Sequence, residues 1–169
     1  KRYQEAIDIY TQALQVVPGN IDLLYARGLT GEQAGDIDML ERDMLTILKT
    51  EPDNAHALNA LGFTLADKGI RLQEAYQYLQ RAIEIKPDDP AIIDSYGWIK
   101  YRLGKYDEAI RLLRKALTLY QDGEIAAHLG EVLWVSGARQ EARDIWKRAL
   151  EESPDDPYVI RAMERLQVN

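Results

Sequence analysis

Apolar positions in this chain recur at spacings of three and four residues, the period of amphipathic helices, and the pattern itself returns along the sequence. Residues 105–117 hold its clearest copy, in which Ala109 and Ala116 stand seven residues apart. The first members of successive pairs lie 34, 35, 34 and 33 residues apart. A fixed period in this range predicts stacked helix pairs. The other pairs are Ala6 and Ala13, Leu40 and Ile47, Ala75 and Ala82, and Ala142 and Ala149.

The period predicts a single all-helical array. One residue is added between Gly69 and Ala75, and one is missing near 120–123. Both changes are expected in turns, because an extra residue inside a helix would rotate everything after it by about 100°. The predicted segments are a half repeat at 1–20 with a second helix only, full repeats at 21–54, 55–89, 90–122 and 123–156, and a capping helix at 157–169.

Pro-Asp-Asp and Pro-Asp-Asn segments recur between the repeats and place carboxylates close together. A cation site is one interpretation of these clusters. Helix capping is the better one, because aspartate and asparagine accept hydrogen bonds from the first amides of a helix, whereas proline ends the helix before it. We expect these residues to set the helix boundaries.

Composition narrows the choice of function. The 169 residues are 46% hydrophobic and 29% charged, and 21 basic against 28 acidic side chains give a net charge of −7. That charge argues against generic binding to nucleic acid or anionic lipid. No apolar run approaches the roughly 20 residues that cross a bilayer. The chain has no cysteine, which excludes disulfides and thiolate metal sites.

Catalytic groups are scarce. The chain has three serines and two histidines, too few to assemble a nucleophile with its base and orienting acid, so we expect no enzyme activity and no cofactor. His128 and Glu131 lie one helical turn apart, the spacing of a metal pair in some bundles. No second pair accompanies them, and three or four ligands are usual, so no metal site is predicted and His128 is interpreted as a polar residue between repeats.

Gly97, Gly104, Tyr106, Ala109 and Ala116, with Pro87 and Pro154 in neighbouring copies, resemble the tetratricopeptide (TPR) pattern of 34 residues. The resemblance covers nearly the entire chain. It implies an all-α TPR solenoid of antiparallel helix pairs in a right-handed superhelix. It also implies a concave groove, lined by the first helix of each pair, that binds peptides or partner proteins.

A narrower resemblance covers about residues 55–150 and is carried by the segments 59–67, 87–98 and 124–134. These are similar to the C-terminal repeats of TPR outer-membrane lipoproteins of Gram-negative bacteria, which act as adaptors for periplasmic carboxy-terminal processing proteases. The chain begins at Lys1, inside a repeat, so we expect a fragment of a longer lipoprotein. The resemblance implies a place on the periplasmic side of the outer membrane, with membrane attachment through a missing lipidated N-terminus.

The predicted partner-binding surface is a stripe on the first helices, because spacings of three and four residues return to one helical face. Its aromatic and charged members suit a binding surface, since aromatics and arginine dominate binding energy at interfaces. The alternative is that the rings fill gaps between repeats, and for Trp134 the two interpretations are balanced. The candidate residues are Tyr25, Asn59, Phe63, Asp94, Trp98, Tyr101, Arg102, Glu131 and Trp134.

The sequence therefore predicts a scaffold or adaptor that binds an extended apolar or aromatic segment, with basic character to meet Asp94 and Glu131. Two alternatives stay open. The half repeat at 1–20 exposes an apolar seam through which the chain could self-associate into a structural array. The chain could also be a regulatory module of a longer protein.

Overall fold

The computed structural model describes residues 2–168, and within them it contains ten α-helices and no β-strand. The predicted all-α fold is confirmed. Each of the five even-numbered helices begins at the first residue of a predicted segment. The helices are α1 (Tyr3–Val16), α2 (Ile21–Gln33), α3 (Ile37–Thr50), α4 (Ala55–Lys68), α5 (Leu72–Ile85), α6 (Pro90–Arg102), α7 (Tyr106–Leu119), α8 (Gly123–Val135), α9 (Arg139–Glu152) and α10 (Pro157–Arg165).

Side-chain caps begin the even-numbered helices. Asn54 Oδ1 accepts a hydrogen bond from the Ala57 amide at 3.0 Å, and Asp89 Oδ1 accepts one from Ala91 at the same distance. These bonds satisfy amides that have no partner inside the helix. The predicted capping role is confirmed for these segments. The capping residues are Asn20, Asn54, Asp89, Asp122 and Asp156.

The two changes in repeat length fall outside the helices. The added residue follows Gly69: two residues, Ile70 and Arg71, separate this glycine from α5, whereas one residue follows each corresponding glycine, and Arg71 adopts a left-handed conformation with φ 48°. Its guanidinium binds Glu41 and Glu74. The missing residue shortens the connection between α7 and α8 to residues 120–122, whereas the other connections from a second helix to the next first helix have four residues.

The chain divides into two compact units, Lys1–Lys86 and Pro87–Asn169, called unit 1 and unit 2. In unit 1, α1 to α5 enclose a cluster that includes Leu40, Met44 and Ile47, all fully buried. Gly28 on α2 allows the close contact with α3, because a Cβ atom there would lie 2.6 Å from the Met44 methyl carbon. A glycine thus sets the packing distance between α2 and α3.

In unit 2, α6 to α10 enclose a second cluster centred on the fully buried Trp146 of α9. Its indole lies against Gly130 of α8, where a Cβ atom would overlap the ring. Val159 and Ala162 of α10 are buried in the same cluster. The last helix therefore contributes to the core of unit 2 rather than extending into solvent.

Candidate functional site

Three helices of unit 2 bring charged and aromatic side chains together on one surface. Asp94, Trp98 and Tyr101 share a face of α6 because they are spaced by four and three residues. His128 and Glu131 lie one turn apart on α8, and Arg165 reaches the same surface from α10. We call these six residues the α6–α8–α10 face.

A buried pair joins α6 to α8. His128 Nδ1 lies 2.9 and 3.0 Å from the two carboxylate oxygens of Asp94, and both residues are less than a tenth exposed. Burial lowers the pKa of His128, but the carboxylates of Asp94, Glu124 and Glu131 together more than offset this and raise the pKa above its ordinary value. Contact with Asp94 therefore favours the charged form of His128.

Trp98 packs directly on this pair. Its ring stacks on the His128 ring, with centroids 4.2 Å apart and an angle of 25° between the planes, and the centroid of the Tyr101 ring lies 5.0 Å away. Only 3% of Trp98 is exposed. The sequence placed this ring on an open groove, and the structure buries it because His128 from the next repeat covers it. Its indole N–H has no hydrogen-bond acceptor within residues 2–168.

Glu131 of α8 connects Tyr101 of α6 to Arg165 of α10. The Tyr101 hydroxyl donates a hydrogen bond to Glu131 Oε1 at 3.1 Å, and Arg165 pairs with Glu131 Oε2. Burial, followed by the Glu131 charge, raises the pKa of Tyr101 to about 12. The phenol thus remains a hydrogen-bond donor over the whole physiological range, and its bond to Glu131 persists.

These contacts change the electrostatic expectation for a ligand. Both predicted acidic residues, Asp94 and Glu131, already hold partners inside the chain and are 5% and 7% exposed. The side chain of Arg165 is 59% exposed, and Tyr101 is partly exposed. What the face offers to a partner is therefore an aromatic edge and a guanidinium, positioned by a buried network, rather than free carboxylates.

Two further predicted residues lie at the ends of their helices. Arg102 is the last residue of α6 and is partly exposed. Trp134 is directed at α9, where Arg139 and Arg143 lie over its ring at 5.1 and 5.0 Å from the centroid and Trp146 lies 5.9 Å away. For Trp134, packing between helices accounts for the contacts that the structure shows.

The remaining predicted residues belong to unit 1. Tyr25 of α2 packs against the core cluster of that unit. Asn59 and Phe63 lie on α4 and are partly exposed, and the carbonyl oxygen of the Asn59 side chain is buried without a hydrogen-bond partner among the described residues. Three of the nine predicted residues thus lie in unit 1 and six lie in unit 2. Four of those six belong to the α6–α8–α10 face.

The nine predicted binding residues include neither His128 nor Arg165, although Arg165 continues the predicted stripe on the last helix. A signal for both existed, because His128 follows Asp94 by 34 residues and Arg165 follows Glu131 by the same number. One repeat length separates the members of each pair, and residues one period apart meet across neighbouring repeats. Searching for complementary charges at that spacing would have found both contacts.

Between residues 2 and 168, no three histidine, cysteine, aspartate or glutamate side chains are placed to hold a metal ion. His128 Nδ1 already contacts the Asp94 carboxylate. None of the described helices is both long enough and apolar enough to cross a bilayer.

Comparison with known proteins agrees with the repeat pattern. Residues 53–122 and 100–166 match family models described as tetratricopeptide repeat. TPR repeat-containing protein PA4667 of Pseudomonas aeruginosa is 47% identical over 128 residues, which are 76% of this chain and 22% of that protein. Tetratricopeptide repeat protein 13 of Homo sapiens is 28% identical over 145 residues, 83% of this chain and 17% of that protein.

Among solved structures, TTC0263, a thermophilic TPR protein of Thermus thermophilus, superposes with a TM-score of 0.85. The match covers 99% of this chain and 92% of that chain at 24% identity, so it bears on the fold alone. This chain spans about a fifth of the length of the two sequence relatives.

Proposed function

Because this chain belongs to the tetratricopeptide repeat family, we propose that it is a non-catalytic scaffold or adaptor that holds a partner protein on the α6–α8–α10 face. Proteins of this fold typically act as interaction scaffolds. The observation that carries the proposal is the buried network of Asp94, Trp98, His128 and Glu131, which fixes two accessible side chains, Tyr101 and Arg165, before any partner arrives.

Preorganisation is the physical basis of this proposal. A side chain that is already held in place loses little conformational entropy when it docks, so more of the contact energy appears as affinity. Tyrosine and arginine are the residue types that most often dominate such contacts. The partner segment that suits this surface is extended and carries apolar or aromatic side chains, which stack on Tyr101 beside Arg165.

The narrower form of the proposal is an envelope adaptor that brings a carboxy-terminal processing protease to its substrates on the periplasmic side of the outer membrane. Its support is the resemblance of residues 55–150 to lipoprotein repeats and the identity of 47% to a Pseudomonas aeruginosa relative. Protease recruitment and location are proposals for the longer protein that such a chain would belong to.

A capture experiment tests both forms. The chain and a Tyr101→Ala, Arg165→Ala variant are immobilised at equal density, exposed to a bacterial envelope extract, and the retained proteins are quantified by mass spectrometry. We expect a specific protein to bind the chain and to be lost by the variant, and the narrower form expects that protein to be a protease. Arg111→Ala, on the exposed surface of α7, is the matched control.

Equal retention by all three proteins, with their helical circular dichroism unchanged, would contradict a role for the α6–α8–α10 face. Retention of a specific protein that is not a protease would contradict only the narrower form.

Self-association is a second candidate, favoured by one observation. Ile9 and Val16 lie seven residues apart on α1 and are 64% and 81% exposed. Apolar side chains aligned in this way on one helix face can pair with a second copy. Light scattering over a hundredfold range of concentration tests this candidate, which requires a rising mass that an Ile9→Lys, Val16→Lys variant abolishes.

A further inference from the structure

In two helix pairs, α4–α5 and α6–α7, a basic residue in the last part of the second helix binds the turn that precedes the pair. Arg81 of α5 donates two hydrogen bonds to Asp53 Oδ1, at 2.7 and 3.0 Å. Lys115 of α7 lies 2.9 Å from Asp88 Oδ1 and 3.1 Å from the Pro87 carbonyl oxygen. Both basic residues stand directly before the second alanine of their repeat, so the contact recurs at one repeat position in these two pairs.

Arg148 of α9 occupies the same position, directly before Ala149, but it has no hydrogen-bond or ion-pair partner within residues 2–168. The reason lies in the turn that precedes its helix pair. That turn is the short connection at residues 120–122, which lacks the Pro-Asp step present at Pro52-Asp53 and Pro87-Asp88. The deletion has removed the carboxylate that this guanidinium would bind.

A cavity of about 660 Å³ opens at this position in unit 2. This volume is within the range of roughly 300–1,000 Å³ found for ligand pockets. Apolar side chains from three helices, Leu117, Leu129 and Ile145, line it, and the charged groups around it include Arg148 and Glu152. The cavity thus combines an apolar patch from three helices with polar walls that include the unpaired guanidinium of Arg148.

Three of the other charged side chains that line the cavity already have partners. Arg114 is paired with Glu141, and Asp122 and Asp156 each cap the helix that follows them. Glu152 lies one turn after Arg148 and does not pair with it. A ligand carboxylate that reaches Arg148 therefore supplies a contact that nothing in the described part of the chain provides.

We propose that this cavity binds a short segment of a partner protein in which an aspartate or glutamate follows a proline or an aliphatic residue. The apolar residue of the segment fills the pocket and its carboxylate binds Arg148, so the segment takes the place of the Pro-Asp step that the turn has lost. This site is formed by α7, α8 and α9 and shares no residue with the α6–α8–α10 face.

A peptide taken from this chain can serve as the test ligand. A capped peptide with the sequence of residues 85–89, Ile-Lys-Pro-Asp-Asp, carries the missing step, and a peptide with both aspartates changed to asparagine is its control. Titration into the ¹⁵N-labelled chain is followed by backbone amide shifts. We expect saturable shifts around residues 117–123 and 145–153, and binding that is about tenfold weaker for Arg148→Gln, the loss of one charge-assisted hydrogen bond.

Restoring the turn is the sharper test. Gln121→Pro, combined with insertion of one aspartate before Asp122, rebuilds the four-residue connection and supplies an internal carboxylate. We expect this variant to bind the peptide at least tenfold more weakly, whereas Arg111→Gln, outside the cavity, binds as the unchanged chain does.

The proposal is overturned if millimolar peptide causes no saturable shifts, if the asparagine peptide binds equally well, or if Arg148→Gln leaves binding unchanged. Because Tyr101→Ala and Arg165→Ala leave this cavity intact, loss of one site and loss of the other are distinguishable in the same assay.

Discussion

The Trp98 indole stacks on the His128 imidazole with 4.2 Å between ring centroids, so an aromatic side chain of one repeat is covered by the next repeat. The contact lies above the Asp94–His128 pair and beside Tyr101. It makes Trp98 a part of the packing between α6 and α8. The contribution of the Trp98 ring to stability, and the dependence of stability on the charge of His128, can be measured separately.

Removal of the Trp98 ring is expected to destabilise unit 2. Trp98→Ala should lower the free energy of unfolding by about 3–5 kcal/mol, because the ring is buried and leaves a cavity. Trp98→Phe should lower it by less than half of that, since a phenyl ring keeps much of the contact and the lost indole N–H has no acceptor within the described residues. Urea unfolding followed by circular dichroism gives both values, and equal losses would contradict this account.

Stability should depend on the charge of His128. Its pKa is raised in the folded chain, where Asp94, Glu124 and Glu131 together outweigh burial. A raised folded pKa means that the stabilisation is fully present below the unfolded value of about 6.5 and is lost as the pH rises through the folded pKa. The difference in unfolding free energy between the chain and His128→Gln should therefore shrink from pH 6 to pH 9, and a constant difference would contradict the assignment.

A buried ion pair in unit 1 should matter more than exposed ones. Arg27 binds both carboxylate oxygens of Asp43 at 2.7 and 2.8 Å and also donates to Thr11, which joins α1, α2 and α3. Asp43→Ala should lower the free energy of unfolding by about 2–3 kcal/mol, because it leaves the guanidinium without its charged partner. Lys147→Ala, which breaks the exposed pair with Glu151, is the control and should leave the midpoint of urea unfolding unchanged.

Replacing Gly130 or Gly137 by alanine should lower stability, but for different physical reasons. At Gly130 a Cβ atom would overlap the Trp146 indole, so Gly130→Ala should cost about 1–3 kcal/mol of stability through overpacking. At Gly137 the space is empty but φ is +97°, so Gly137→Ala should cost about 1 kcal/mol through the backbone.

The double change Gly130→Ala with Trp146→Phe separates the two causes, since a smaller ring makes room for the methyl group. The combined loss should be smaller than the sum of the single losses, whereas Gly137→Ala with Trp146→Phe should be additive.

The helix boundaries could be predicted because local chemistry sets them. Asn54 and Asp89 bind amides two or three residues ahead of them, and a sequence shows that spacing directly. The positions of the added and missing residues were predictable for a related reason, since turns at Gly69 and at 120–122 absorb a change in length that a helix does not.

The burial and the hydrogen-bond partners of the site residues were harder to predict, because those partners come from other helices. A period places Trp98 on the first-helix stripe but does not say that His128 will cover it. It places Glu131 there as well, but the hydrogen bond from Tyr101 and the pair with Arg165 depend on side-chain directions across two interfaces. The stripe was therefore predictable as a set of positions, while its accessible part was not.

The stacked rings also make unit 2 optically informative. A protonated imidazole quenches the fluorescence of an indole that it touches, and Trp98 is in ring contact with His128 whereas Trp134 and Trp146 contact each other. Emission from Trp98 will therefore report the proton on His128. A change in intensity when a protein docks beside Tyr101 would show the docking without any attached dye.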